Sequence, residues 1–282
     1  MSTNANCVRR NNMAMKKKMN KLLPKRSQDS NKGTFGTVLN VSGSEEYSGA
    51  AVLSSVASLK VGAGKVILCS TENTLAAASY RVPELVLISR EGVSFDGVTS
   101  VVLGCGLSQD KGACQIFEKV ISTVGDIPLV IDADGLNILA KGQYKLGRNT
   151  ILTPHPKEMS RLLGIELDEV LNNREKALRS CVEKYGVTTV LKGHHTLIMD
   201  VEGNLYENTT GNSALAKAGS GDVLAGMIGG LLAQGVSCYD GACLGVYLHG
   251  LAGELASEVE SEYSVLASDL LEYIGKAIKK GK

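Results

Sequence analysis

The chain has 282 residues, 44% of them hydrophobic but only 4% aromatic, with 32 glycines and no tryptophan. That length allows one large domain or two small ones, and the composition favours an α/β protein with a core of Ala, Val, Leu and Ile and many glycine turns. The net charge of +1 is unevenly spread: eight bases and no acid lie in residues 1–26, which leaves 22 bases against 29 acids in the body and argues against a globally basic nucleic-acid binder.

The first 21 residues, MSTNANCVRRNNMAMKKKMNK, lack the apolar run of a secretory signal. They read as a disordered basic leader, with a targeting arm or an RNA-touching arm as the competing readings. The body, residues 22–282, shows no linker and no repeat and is expected to be one domain. Seven cysteines form no CxxC pair and are odd in number. Neither a disulfide framework nor a zinc site is signalled, so a reducing, cytoplasmic setting is expected. No apolar run is long enough for a membrane span.

From residue 37 onward, strand and helix signals alternate. TVLNVSGS (37–44) reads as a strand ending in a glycine turn, and residues 45–64 as an alanine-rich helix stopped by glycines. KVILCS (65–70) is a short strand, followed by a helix with a threonine N-cap at Thr71. SVVLGCG (100–106) is a strand entering a glycine turn, and 111–123 is a helix. IPLVIDADGLN (127–137) is a strand running into two acids, Asp132 and Asp134. TILTPHPKEMSRLLG (150–164) is a strand, a Pro-His-Pro turn and a helix. Residues 168–186 form an amphipathic helix. TTVLKGHHTLIMD (188–200) reads as a hairpin with a two-residue turn. Residues 214–235 and 239–260 are long helices rich in small residues. Uncharged strands alternating with helices predict a central, mostly parallel sheet covered on both faces. Ligands then bind beyond the carboxyl ends of the strands, where GCG, DADGLN, TPHP, KGHHT and AGSGD all fall.

AGSGD (218–222) lets several backbone N–H groups converge at a helix start, an arrangement that favours an anion. Asp222 in the first turn is either a general base for a substrate hydroxyl or an acid complementing the helix dipole, and the two readings stand level on this motif alone. His155, between two prolines, is either aimed at a polar substrate or is an ordinary turn histidine. Lys192 of KGHHT can neutralise phosphate and Thr196 can cap, against a plain solvated hairpin. Asp132 and Asp134 share a side if the strand persists, and one could orient Mg²⁺ through water. Gly104 and Gly106 permit close ligand approach, and Gly49 and Ala50 open a helix without bulk.

In order, LLPKRSQDSNKGTFGTVLNVSGS, YSGAAVL, GCGLS, VIDADGLN, LTPHPKEMSRLLG, VLKGHHTLI and GNSALAKAGSGDVLAGMIGGLLAQG resemble the ADP/ATP-dependent NAD(P)H-hydrate dehydratases of the ribokinase-like superfamily. The resemblance spans about residues 22–250. It implies a three-layer α/β/α fold and repair of hydrated NADH or NADPH, with the ring hydroxyl phosphorylated by ADP and the phosphate then eliminated. ADP is the donor in bacterial members and ATP in eukaryotic ones. The family pattern implies Lys192, Gly193, His194, His195, Thr196 and Gly221 as nucleotide-binding residues. It implies Ala50, Gly106, His155 and Asp222 as contacts to the hydrated dinucleotide. Asp222 matches the catalytic base, and Gly219, Ser220 and Gly221 match an anion hole. Mg²⁺, a separate epimerase partner and a homotetramer are also implied, with no nucleic-acid or membrane partner. The chain has Cys105 where the family usually has proline and Ser220 where it usually has threonine. NKGTFG stands where HKG is commoner.

The alternative enzyme is a ribokinase-like kinase of a hydroxyethylthiazole or pyridoxine-type alcohol, which would use the same aspartate and release a stable phosphate ester. A non-catalytic nucleotide sensor and an RNA-associated protein acting through the leader are the readings from other classes.

Overall fold

The computed structural model describes residues 15–19 and 21–281. Among them, nine strands form one sheet in the order β3-β2-β1-β4-β5-β6-β7-β8-β9. The strands are β1 (Thr37–Val41), β2 (Lys65–Ser70), β3 (Val86–Ser89), β4 (Ser100–Leu103), β5 (Leu129–Ile131), β6 (Thr150–Leu152), β7 (Thr188–Leu191), β8 (Leu197–Met199) and β9 (Leu205–Glu207). Pairing is parallel from β3 through β7 and antiparallel from β7 to β9.

The central strands are uncharged because both of their faces are covered. Successive side chains point to opposite faces, and the buried residues divide accordingly. Val38, Val102, Val130 and Ile151 face one core, while Leu39, Leu103, Ile131 and Leu152 face the other. The helices are α1 (Ser48–Val61), α2 (Glu72–Arg81), α3 (Lys111–Thr123), α4 (Asp134–Lys141), α5 (Pro156–Leu163), α6 (Leu167–Asn172), α7 (Arg174–Tyr185), α8 (Ser220–Ala233), α9 (Cys238–Val259) and α10 (Ala267–Gly281). The first core packs against α1, α8, α9 and α10, and the second against α3, α4, α5 and α7. This is the expected three-layer α/β/α arrangement.

Helix α8 is buried along most of its length. Its glycines let it lie close to its neighbours. A Cβ on Gly226 would stand 2.0 Å from the Ser54 carbonyl oxygen, and one on Gly229 would stand 2.2 Å from Val102 Cγ2. The carbonyl of Gly226 accepts from the Ser58 hydroxyl at 2.8 Å, and that of Gly229 from Ser100 Oγ at 2.8 Å.

Four expectations change in detail. The leader is not wholly disordered: residues 15–19 are helical, Met15 and Met19 are buried in the first core, and Lys18 pairs with Asp240. Apolar methionine surface accounts for the docking, and residues 1–14 of that expected tail lie outside the described residues. Thr71 does occupy the N-cap position of α2, but no side-chain cap bond forms there, and its hydroxyl turns to Thr74 Oγ1 at 3.1 Å. The strand of residues 127–137 ends at Ile131, and Asp134 already begins α4. The hairpin turn holds five residues, since Leu191 pairs with Leu197. No helix among the described residues is long and apolar enough to cross a membrane.

Candidate active site

Because β1 and β4 are neighbours while the chain runs from β1 to β2 on the other side, strand order reverses between β1 and β4. Such a reversal opens a crevice at the carboxyl ends. Gly104 and Gly106 adopt φ of 115° and 58°, which an L side chain resists, and they turn the chain sharply after β4. The Gly43 N–H donates to the Cys105 carbonyl at 2.8 Å, joining the two strand ends. A Cβ on Gly106 would lie 2.8 Å from the Ala50 Cβ, so the expected contacts Ala50 and Gly106 form one wall together. The half-exposed Tyr47 borders the same glycine, and sequence reading had not singled it out.

Asp222 enters from the first turn of α8, behind Gly219, whose φ of 90° sets the helix start. Its carboxylate, that of Asp132 and the Cys105 sulfur lie within 4.8 Å of one another. Burial pushes the Asp222 carboxyl up to about 6 and the Asp132 charge adds to the rise, while a hydrogen bond from Cys105 and the Lys192 charge pull it partly back. Burial, reinforced by the charges of Asp222 and Asp132, holds the Cys105 thiol well above its ordinary range, so the thiol is the donor. Asp222 is thus an ionisable base whose affinity for a proton is raised.

Lys192 follows β7 and points inward. Its ammonium meets Asp132 Oδ1 at 2.6 Å and Glu158 Oε2 at 3.9 Å. Burial opposes the charge, but Asp132 and Glu158 outweigh it and hold the lysine above its usual range. A Cβ on Gly221 would lie 3.4 Å from Lys192 Nζ, which places the cation at the start of α8. Glu158, not identified from sequence, is pushed up to about 7 by burial, against the pull of Lys192.

His155 is the N-cap of α5. Its Nδ1 accepts from the N–H groups of Lys157 at 3.1 Å and Glu158 at 3.2 Å, and Glu158 Oε2 accepts the His155 N–H at 2.7 Å. With Nδ1 engaged as acceptor, the neutral ring carries its proton on Nε2 and is a donor. Burial, followed by Lys192, lowers its affinity for a second proton.

The loop 192–196 is fastened from below. The Lys192 N–H donates to the Pro154 carbonyl at 2.8 Å, and Arg174 Nη1 donates to the His194 carbonyl at 2.6 Å. Thr196 Oγ1 donates to the Gly193 carbonyl at 3.0 Å, closing the turn. The His194 and His195 rings stack at 4.2 Å, and His195 Nδ1 lies 2.6 Å from Glu207 Oε1. His195 is thus tied to Glu207 of β9, while His194 is exposed, as the plainer solvated-tip reading expected. A cavity of about 530 Å³ lies beside the loop. The expected residues lining it are His155, Lys192, Gly193, His194, His195, Thr196, Ser220 and Gly221. Residues 208–213 and His249 also line it and were missed by sequence reading. Ala50, Gly106 and Asp222 stand outside this cavity, so the expected dinucleotide set divides, with His155 on the cavity side.

At the expected anion hole, the Ser220 N–H donates to the Lys217 carbonyl at 3.2 Å. Its amide is thereby engaged within the chain, while its hydroxyl borders the cavity and lies 3.1 Å from His249 Nε2. Gly219 and Gly221 keep first-turn amides of the kind a helix leaves for a ligand.

The pairing of Asp132 and Asp134 on one side does not occur. Ala133 adopts φ of 49°, and Asp134 turns to accept the Ser108 N–H at 2.9 Å and the Gln109 amide at 3.2 Å. Mg²⁺ takes an all-oxygen shell. Here one member of the buried trio is a thiol, and Asp132 is already neutralised by Lys192 at 2.6 Å. That donor set does not fit a resident Mg²⁺.

A family model described as NAD(P)H-hydrate dehydratase matches residues 38–276. The chain is 41% identical over 240 residues to the ADP-dependent (S)-NAD(P)H-hydrate dehydratase of Neisseria meningitidis, covering 83% of this chain and 81% of that one. It is 39% identical over 258 residues to the bifunctional NAD(P)H-hydrate repair enzyme of Coxiella burnetii, covering 90% of this chain but only 52% of that protein. Among solved structures, the ADP/ATP-dependent NAD(P)H-hydrate dehydratase of Bacillus subtilis, co-crystallised with ATP and Mg²⁺, matches with a TM-score of 0.87 at 31% identity. That match covers 95% of this chain and 97% of that one.

Proposed function

Because the chain belongs to the NAD(P)H-hydrate dehydratase family, we infer that it converts the S-form of hydrated NADH or NADPH back to the reduced dinucleotide, with ADP consumed to AMP and phosphate. The observation that carries the residue assignment is the position of Asp222. Ser220 and Gly221, just before it in the chain, line the cavity beside the 192–196 loop, and Cys105, next to Gly106 of the Ala50 wall, donates to its carboxylate, which burial pushes up to about 6. A base of that strength, between a nucleotide pocket and an alcohol substrate, suits proton abstraction at neutral pH.

In this reading ADP lies along residues 192–196 with its terminal phosphoryl group toward Gly219, Ser220 and Gly221. Lys192 supplies the nearby positive charge. The hydrated ring lies against Ala50 and Gly106, and His155 offers its Nε2–H to a polar group of the dinucleotide. Asp222 takes the proton of the ring hydroxyl as that oxygen bonds to the terminal phosphorus. The bridging P–O bond breaks and AMP leaves with its electrons. The C–O bond of the phosphorylated ring then breaks, phosphate leaves with the bonding pair, and loss of a ring proton restores the double bond. Mg²⁺ accompanies the phosphates of the nucleotide as part of the substrate, in keeping with the poor fit of the buried trio.

A cytoplasmic location, a separate epimerase that interconverts the R- and S-hydrates, and a homotetramer complete the proposal. The epimerase follows from need, since a site specific for the S-form leaves the R-form unrepaired. The bifunctional Coxiella relative is about twice the length of this chain's match. The test is the near-ultraviolet absorbance of reduced nicotinamide when hydrated NADH is mixed with enzyme and either ADP or ATP. Recovery of reduced cofactor with ADP is expected. Accumulation of a stable phosphate ester without that recovery would instead mark a small-molecule kinase.

A further inference from the structure

Histidine 249 lies in the middle of α9, is 6% exposed, and has no part in the reaction as derived so far. Its Nε2 is 3.1 Å from Ser220 Oγ, and both residues border the cavity beside the loop 192–196. A serine hydroxyl has one proton to donate, and its direction decides what Ser220 offers a bound anion. If Ser220 donates to the ring, only its lone pairs face the cavity and repel a phosphoryl oxygen. If the ring donates to Ser220, the hydroxyl proton is available to the anion.

One observation chooses between these arrangements. The Ser220 amide is already engaged by the Lys217 carbonyl at 3.2 Å, so the hydroxyl is the polar hydrogen this residue has left for a ligand. We propose that His249 is a positioning residue of the phosphoryl site, donating Nε2–H to Ser220 so that the Ser220 hydroxyl donates to a phosphoryl oxygen of the nucleotide. This rests on the assignment of Gly219–Gly221 as the anion site. Burial pushes the imidazole down to about 4, with the Lys192 charge acting in the same direction. The ring therefore orients the hydroxyl at neutral pH without adding charge, and the cationic work stays with Lys192.

The direct test is nitrogen NMR of the full-length protein with labelled histidine, reading the His249 tautomer. A proton on Nε2 is expected, and a proton on Nδ1 with Nε2 unprotonated would overturn the proposal whatever the kinetics. The second test is a cycle of Ser220→Ala, His249→Phe and the double variant, read as kcat/KM for ADP, with His249→Gln as the variant that retains an N–H. His249→Phe is expected to lower kcat/KM roughly fivefold, the worth of one neutral hydrogen bond, with partial recovery in His249→Gln. In the Ser220→Ala background the same change is expected to cost little. An equal loss in both backgrounds would show a purely structural role. Unaltered kcat/KM in Ser220→Ala alone would remove the serine from the phosphoryl site, and this proposal with it, while leaving the Asp222 reading intact.

Discussion

Ionised Asp222, itself partly buried, shares its surroundings with the buried Asp132, whose carboxylate lies within 4.8 Å. Its carboxyl rises from an ordinary 3.8 to about 6, so between those values the folded chain holds a proton that the unfolded chain has released. Stability from this group is full below the unfolded value and is lost as pH rises through about 6. Asp222→Asn is therefore expected to raise the Tm at neutral pH, by an amount worth on the order of 3 kcal/mol, while lowering kcat ~10²-fold or more and leaving ADP affinity largely unchanged. Thermal melts, turnover and ADP titration on one preparation check all three, and near-normal turnover would remove Asp222 from its role. The same group sets the acidic limb of the pH profile: kcat/KM should climb as Asp222 ionises, with its midpoint near 6. The charged or titratable neighbours are Asp132, Asp134, Lys192 and the Cys105 thiol, with Glu158 and His155 beyond them. Of these, Cys105 donates to the carboxylate directly and favours its ionised form. Cys105→Ala should move the limb to higher pH and Cys105→Ser should move it back, whereas a thiol that only fills space would leave the limb in place. The sequence marked Asp222 through its glycines. Nothing local could show that Cys105 and Asp132, over 80 residues away, complete its environment, because strand register brings them there.

Helix α8 shows how an element too small in its side chains to have an amphipathic face is still fixed in place. Gly226 and Gly229 meet the α1 backbone and β4 at distances no Cβ could tolerate, 2.0 Å and 2.2 Å. Gly226→Ala should force α8 away from Ser54 and cost roughly 1–3 kcal/mol by urea denaturation. Gly275→Ala in α10, where an added Cβ meets nothing within 4 Å, should stabilise by up to about 1 kcal/mol, because alanine orders a helix at lower entropic cost. Equal effects at the two positions would refute the packing account. Strands of the sheet interior were legible because double-sided burial leaves uncharged β-branched runs, as in SVVL and TTVL. The edge strands β3 and β9 were not, since half-exposed segments of four and three residues carry no clear period. The hairpin turn was misjudged for a related reason. The Lys192 N–H pairs with Pro154 across the sheet rather than with β8, and that bond depends on which strand lies alongside.

Across the whole molecule, the parallel strands explain why motifs scattered from residue 43 to 222 reach one edge: β1 to β7 all end there, and every return between them except that from β3 to β4 passes through a helix. That much follows from alternation alone. The pairings within the edge do not, since Lys192 with Asp132 and His249 with Ser220 join residues 60 and 29 positions apart. The chain ends follow a similar logic. Residues 15–19 carry three consecutive lysines, which suggests solvent, yet the methionines at either side of them point inward together, as i and i+4 on a helix must. Met19 is fully buried and would be touched by a Cβ added to Gly281 at the far end of α10, while Lys18 reaches Asp240 on α9. The amino-terminal segment thus packs against the last helix, and that helix packs in turn on α9 and α1. Met19→Ala removes apolar surface from this junction and should destabilise by about 2 kcal/mol, the lower part of the range for a buried methionine. Lys18→Ala breaks an exposed ion pair and should cost less than about 1 kcal/mol, with what cost there is screened by salt. Since neither residue approaches Asp222, kcat should be unchanged in both. Denaturation in low and high salt beside turnover separates the effects, and a Met19→Ala protein as stable as the parent would show that the segment does not dock in solution.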